Sequence, residues 1–144
     1  MKGWLLDTNV ISELRKTNCH PSVKAWSNQQ PPQSFYLSTV TFAEISFGIE
    51  RVQDAEFRQE LVEWLNVTLR PWFSDRLLEV SEDVILVWRQ MVEKGRKQSY
   101  TFGQPDLFIA AIASFHDLCV VTRNVSDFER AEVSVFNPFR YKEL

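Results

Sequence analysis

Four acidic residues stand out by position. Asp7 ends the apolar run Gly3-Trp4-Leu5-Leu6, and Glu44 lies one turn into the segment after Phe35–Ser38. Asp106 opens an apolar helical stretch behind Pro105, and Asp127 closes Thr122-Arg123-Asn124-Val125-Ser126. Singly, each has an ordinary explanation. Asp7, beside Thr8 and Asn9, fits a helix cap or turn. Glu44 stands three residues after Thr41, the spacing of a capping box. Asp106 in a first helical turn gains about 0.3–1 kcal/mol from the helix dipole, and Asp127 fits a turn. Asp106 says the most alone, because a carboxylate leading a buried helix is drawn inward, where a charge needs a partner or a cation. Together the four describe an oxygen-rich site for a hard cation, Mg²⁺ or Mn²⁺, which binds carboxylates and keeps several waters. Such an ion activates water and clamps a phosphate for in-line displacement.

That chemistry needs the acids brought to one edge. Gly3–Leu6, Phe35–Ser38, Leu77–Val80, Leu118–Val121 and Val133–Phe136 read as short buried strands. Between them lie helical segments: Val10 to about Lys16, Pro21–Gln29, Thr41 onward, 54–70, Ser81 to about Lys94 with Gly95 stopping or bending it, and Pro105 onward. Pro138 should end the regular structure. Strands alternating with helices imply one α/β domain over 1–144, with a mostly parallel sheet of about five strands and helices on both faces. Such sheets bind ligands outside the carboxyl ends of their strands, where all four acids fall.

Composition sets limits. The 144 residues, 44% hydrophobic and 24% charged, suit one soluble globular core. A net charge of −3 argues against broad nucleic-acid binding, although a local basic rim is compatible with it. The two cysteines, Cys19 and Cys119, form no zinc-ligand spacing, and Cys119 in Leu118-Cys119-Val120-Val121 reads as a buried hydrophobe. No signal-peptide pattern or membrane-length apolar run is present, so a cytoplasmic location is expected. His20 and His116 are isolated, which leaves no Ser/His/Asp arrangement, and no glycine-rich loop indicates a nucleotide cofactor. Lys94, Arg96 and Lys97, followed by Tyr100 and Phe102, read either as an RNA contact or as a solvated helix end. Arg123 is similarly ambiguous. Trp64, Trp72 and Trp88 read as core or interface anchors.

The blocks Leu5-Leu6-Asp7-Thr8-Asn9-Val10-Ile11-Ser12-Glu13-Leu14, Leu37-Ser38-Thr39-Val40-Thr41-Phe42-Ala43-Glu44-Ile45 with Gly48-Ile49-Glu50, Asp106-Leu107-Phe108-Ile109-Ala110-Ala111, Val121-Thr122-Arg123-Asn124-Val125-Ser126-Asp127-Phe128 and Asn137-Pro138 resemble, in order and spacing, PIN-domain toxins of the VapC type, especially the FitB-like branch. Gln98–Gln104 matches none of these blocks. The resemblance implies an Mg²⁺- or Mn²⁺-dependent endoribonuclease, the toxin of a toxin–antitoxin pair. Asp7, Glu44, Asp106 and Asp127 would be its acidic quartet, Asp7 and Asp106 its metal ligands, and Thr8, Asn9, Thr122 and Asn124 the polar groups that orient them. The implied partners are an RNA substrate, a cognate antitoxin whose Arg or Lys enters the acidic pocket, and a second copy in a homodimer. The rival expectation is a PIN-like module without catalysis, acting with an antitoxin on DNA.

Overall fold

Each apolar run becomes a short strand because it is flanked by residues that cap or break. The computed structural model describes residues 1–142; the expected domain, 1–144, reaches two residues outside the described range. The chain forms β1 (Trp4–Leu6), α1 (Thr8–Arg15), α2 (Pro21–Asn28), a 3₁₀ turn (Pro32–Ser34), β2 (Phe35–Ser38), α3 (Thr39–Glu50) and α4 (Ala55–Glu63). A π-helical stretch (Trp64–Leu69) carries α4 into the single turn α5 (Arg70–Trp72). Then follow β3 (Leu77–Leu78), α6 (Glu82–Lys97), α7 (Gln104–His116), β4 (Cys119–Val121), α8 (Ser126–Glu129), β5 (Val135–Phe136) and a 3₁₀ turn, Pro138–Arg140.

The five strands lie in the order β3-β2-β1-β4-β5, every neighbouring pair parallel. The chain winds outward from β1 through β2 to β3, then returns across β1 to β4 and β5. The direction reverses between β1 and β4, whose register sets Leu6 beside Val121. Residues 7 and 122 therefore leave the sheet side by side.

Alternation along β1 divides the core. Leu6 faces a cluster with Val10, Ile11, Trp26, Phe42 and Phe73, which α1 to α5 cover. Leu5 faces Val84, Ile109, Ile112 and Phe128 from α6, α7 and α8. Full burial of such side chains stabilises by roughly 1.5–3 kcal/mol each. Trp64 and Trp72 pack against the first cluster and Trp88 against the second, where it stacks on Phe108. All three serve the core. Cys119 is buried and both thiols are free. Among the described residues no helix is long and apolar enough to cross a membrane.

Several boundaries differ from expectation. α3 begins at Thr39 because Ser38 caps it, its Oγ accepting from the Thr41 N–H at 3.0 Å. The capping-box pairing of Thr41 with Glu44 is thus absent, and Glu44 is left exposed. Asp7 itself caps α1, in place of Thr8 or Asn9. Pro138 begins a further turn, its nitrogen at a position that needs no donor. α6 runs through Gly95 to Lys97, and Ser99, just beyond its end, lies in the left-handed region at φ 56°.

Gly95 is present for close packing. A Cβ there would stand 2.8 Å from the Phe102 ring and 3.0 Å from the Tyr100 carbonyl oxygen, in the segment that leads to α7. Gly95→Ala tests this. In an open helix the change should stabilise by up to about 1 kcal/mol; here overpacking, typically about 1–3 kcal/mol, outweighs that gain. Thermal unfolding should show a lower Tm for the variant, and a raised Tm would show that the packing is loose.

Candidate active site

Asp7 leaves β1 at the switch in winding, and the sheet fixes its backbone: its N–H donates to the Val121 carbonyl at 2.9 Å. Its carboxylate is buried. Oδ1 accepts from the Thr8 N–H at 2.8 Å, and Oδ2 accepts from the Thr122 hydroxyl at 2.8 Å and from Asn9 Nδ2 at 3.3 Å. Thr122, fully buried at the end of β4, also accepts from Asn9 Nδ2 at 3.2 Å and from the Asn124 N–H at 3.0 Å. Its one donor and two acceptor positions are then filled. Asn9 Oδ1 accepts from the Arg123 N–H at 3.0 Å, tying the loop after β4 to α1.

Asp106 sits in the first turn of α7 and is half-buried. Asp7, Thr8, Asn9, Glu44, Pro105, Asp106, Ile109 and Asn124 line one open depression of about 430 Å³. Asp7 after β1, Glu44 from the middle of α3 and Asp106 from the first turn of α7 thus come to one hollow. Asp127, exposed in α8, lines the adjoining depression instead, but its charge is felt at both Asp7 and Asp106. Thr8, Asn9 and Asn124 line the hollow, and Thr122 lies beneath Asp7.

The electrostatics are those of a crowded acidic site. Burial raises the Asp7 carboxyl above its usual value, more than its hydrogen bonds to Thr122, Thr8 and Asn9 lower it, and Asp127 pushes it the same way. Burial, then the charges of Asp7, Asp127 and Glu44, push Asp106 up to about 6. Among the described residues no Lys or Arg lines the hollow.

The donor set is hard oxygen throughout, which fits a cation such as Mg²⁺ or Mn²⁺. Three of the roughly four lone-pair positions on Asp7 are engaged, leaving one on Oδ1. Among the described residues no three acidic, histidine or cysteine side chains converge tightly enough to enclose an ion. An ion held here would take one or two carboxylates and complete its coordination with water, as Mg²⁺ commonly does.

Residues 4–133 match the PIN domain family. The chain belongs to the PIN domain family. Among the relatives of this PIN domain, Toxin FitB of Neisseria gonorrhoeae is 34% identical over 135 residues, 94% of this chain and 97% of FitB. VapC ribonuclease Y4jK of Sinorhizobium fredii is 33% identical over 135 residues, 94% of this chain and 96% of that protein. A solved structure of FitAB bound to an IR36 DNA fragment aligns with a TM-score of 0.89 at 31% identity, over 97% of this chain and 98% of that chain.

Two features of this PIN domain escaped the sequence reading. Ser38 and Thr41, both buried, pair their hydroxyls at 3.1 Å where α3 leaves β2; a serine at a strand end was the available signal. Arg140 borders the Asp127 depression, and no motif marks it. His20 caps α2, its Nδ1 accepting from the Ser22 N–H at 3.2 Å. Lys94, Arg96 and Lys97 lie at the end of α6, where Lys94 pairs with Glu132 and Arg96 with Glu93.

The raised Asp106 carboxyl gives a pH signature in the metal-free PIN domain. Because the folded pKa, about 6, exceeds the reference value of 3.8, protonation favours the folded state. The stabilisation is present below pH 3.8 and is lost as pH rises through about 6. In chelator, this group's share of the Tm should fall between pH 5 and 7, and Asp106→Asn should remove that share and raise the Tm at pH 7. Identical pH profiles for both proteins would show that Asp106 titrates normally.

Proposed function

We propose that this chain is a divalent-metal-dependent endoribonuclease, the toxin of a toxin–antitoxin pair, working as a single domain over residues 1–144. The observation that carries the reading is the buried Asp7 and the half-buried Asp106 facing one hollow, with Glu44 and Asp127 adding charge that no side chain of the hollow offsets. The ribonuclease and toxin names of relatives aligned along almost the whole chain support it.

In this reading Asp7 and Asp106 hold Mg²⁺ or Mn²⁺. When bound, the ion polarises a phosphate oxygen and lowers the pKa of water. Thr122, Thr8 and Asn9 orient the Asp7 carboxylate, and Asn124 supports Thr122 through its backbone N–H. Glu44 and Asp127 orient the attacking water or receive its proton. Water opens the phosphodiester bond, one oxygen joining phosphorus as the ribose oxygen departs with a proton.

The proposed partners follow from the charge. RNA supplies the phosphates, with Lys94, Arg96 and Lys97 as an outlying contact. An antitoxin silences the site by inserting an Arg or Lys among the acids. A second copy completes a homodimer; exposed Ile85 and Leu86 on α6 and Phe115 on α7 offer it apolar surface. The protein acts in the cytoplasm, where RNA is available.

Two measurements test this. Purified protein should cleave single-stranded RNA with Mg²⁺ or Mn²⁺, and Asp106→Asn should reduce cleavage to the level seen in chelator while keeping the fold. Excess metal should also raise the Tm, by an amount equivalent to about 2.7 kcal/mol at a hundred times Kd, and this shift should vanish in Asp106→Asn. Full cleavage by that variant would overturn the metal-ligand assignment; an inert wild type would favour the non-catalytic module.

A further inference from the structure

Beside the carboxylate hollow lies a second open depression, of about 470 Å³, lined by Arg123, Asn124, Val125, Ser126, Asp127, Glu129, Asn137 and Arg140. The two hollows share Asn124, so a ligand extending from one enters the other.

Two cations, Arg123 and Arg140, line this second depression. Lys16, Arg76, Arg89, Lys94 and Arg96 all stand within 4.0 Å of a carboxylate. Among the described residues, Arg123 and Arg140 form no ion pair. Arg123 does lower the Glu13 carboxyl, though only as the least of several causes. The basic cluster most visible in the sequence is therefore partly neutralised within the fold, whereas Arg123 and Arg140, like several other arginines, stand outside any ion pair and also line the depression that adjoins the carboxylate hollow.

Arg123 is also held in place at both ends. Its backbone N–H donates to Asn9, the residue that grips Asp7 and Thr122, so its position relative to the carboxylates is fixed by hydrogen bonds. Its guanidinium lies 3.9 Å from the centroid of the Phe139 ring. That ring is placed in turn by Asn137, whose side chain accepts from the Phe139 N–H at 3.0 Å. A guanidinium over a ring loses little hydration on that face and keeps its in-plane N–H groups free. Those groups form the fork that phosphate oxygens accept from.

We propose that Arg123, seated on Phe139, and Arg140 form a phosphate subsite that positions the RNA backbone one step beyond the carboxylates. The inference rests on the ribonuclease reading and names the side on which the strand continues. Asp127 and Glu129 line the same depression, which makes a free small anion a poor occupant. A strand whose neighbouring phosphate is already held at the carboxylates, where bound metal offsets the charge of Asp127, meets the two arginines at closest approach. This makes Arg123 and Arg140 positioning residues, outside the catalytic set.

The test is binding of a mixed-sequence single-stranded RNA to the wild-type protein over a range of KCl. Ca²⁺, a larger oxygen-bound cation, takes the place of Mg²⁺ at the carboxylates, and the RNA is checked for cleavage afterwards. Arg123→Ala with Arg140→Ala should weaken binding at least tenfold, roughly the loss of one charge-assisted contact. The slope of log affinity against log salt should flatten by roughly 1.4, two contacts at about 0.7 each. Arg123→Lys keeps the charge and loses the planar fork, so it should keep the slope while losing affinity, which a merely structural role would not produce. Both side chains are exposed, and unchanged thermal unfolding of the variants checks the fold. Parallel slopes and equal affinities, with tight binding by the parent, would overturn the subsite alone. The same result with a flattened slope in Lys94→Ala/Arg96→Ala/Lys97→Ala would place the strand at the end of α6. A parent protein that binds no RNA would overturn the ribonuclease reading and the subsite together.

Discussion

The site depends on one hydrogen bond, from the buried Thr122 hydroxyl to the buried Asp7 carboxylate at 2.8 Å. It joins the ends of two adjacent strands at the reversal of winding. Without it, Asp7 would bury a charge supported only by its own helix cap and Asn9. Hydrogen bonds to a charged group are worth about 1.5–3 kcal/mol each. Even three such bonds leave the Asp7 carboxyl raised, because desolvation outweighs them. The fold therefore holds Asp7 in a position that an isolated carboxylate would leave.

That imbalance links stability to function. A folded chain gains nothing from gathering acids in one hollow; the gathering makes Asp106 harder to ionise. A divalent ion or an inserted cationic side chain reverses the sign of the local interaction. Any group that supplies positive charge then competes for one place. Destabilisation concentrated at such a site is the usual cost of holding reactive groups ready.

Much of this was legible because a parallel sheet puts its loops at one edge. The apolar runs at 3–6, 35–38 and 118–121 were readable as strands, and the acids after them followed. What escaped notice depended on which of two residues caps a helix. Ser38 and Thr41 are equally good candidates by type; Ser38, extended at φ −95° and ψ 153°, takes the cap and accepts from the Thr41 N–H, and Glu44 was released to the hollow. Gly95 was misread for a similar reason: glycine often ends helices, but here it admits the ring of Phe102. Arg123 and Arg140 lie 17 positions apart with no period between them, and only the fold makes them neighbours, whereas Lys94, Arg96 and Lys97 are conspicuous in sequence and partly paired in space.

The strand order also bears on when the protein becomes active during its own synthesis. β1 is made first and lies at the centre of the sheet, yet one of its two neighbours is β4, at 119–121. Asp7 waits across 115 residues for the hydroxyl that holds it. Contacts of such sequence separation form late, after loop closure has been offset by other packing. A ribosome-bound chain lacking its last quarter has the first strand and first acid but neither Thr122 nor Asp127. A growing chain therefore has no complete carboxylate site until it is nearly finished, and whatever binds that site meets it only after β4 has closed on β1.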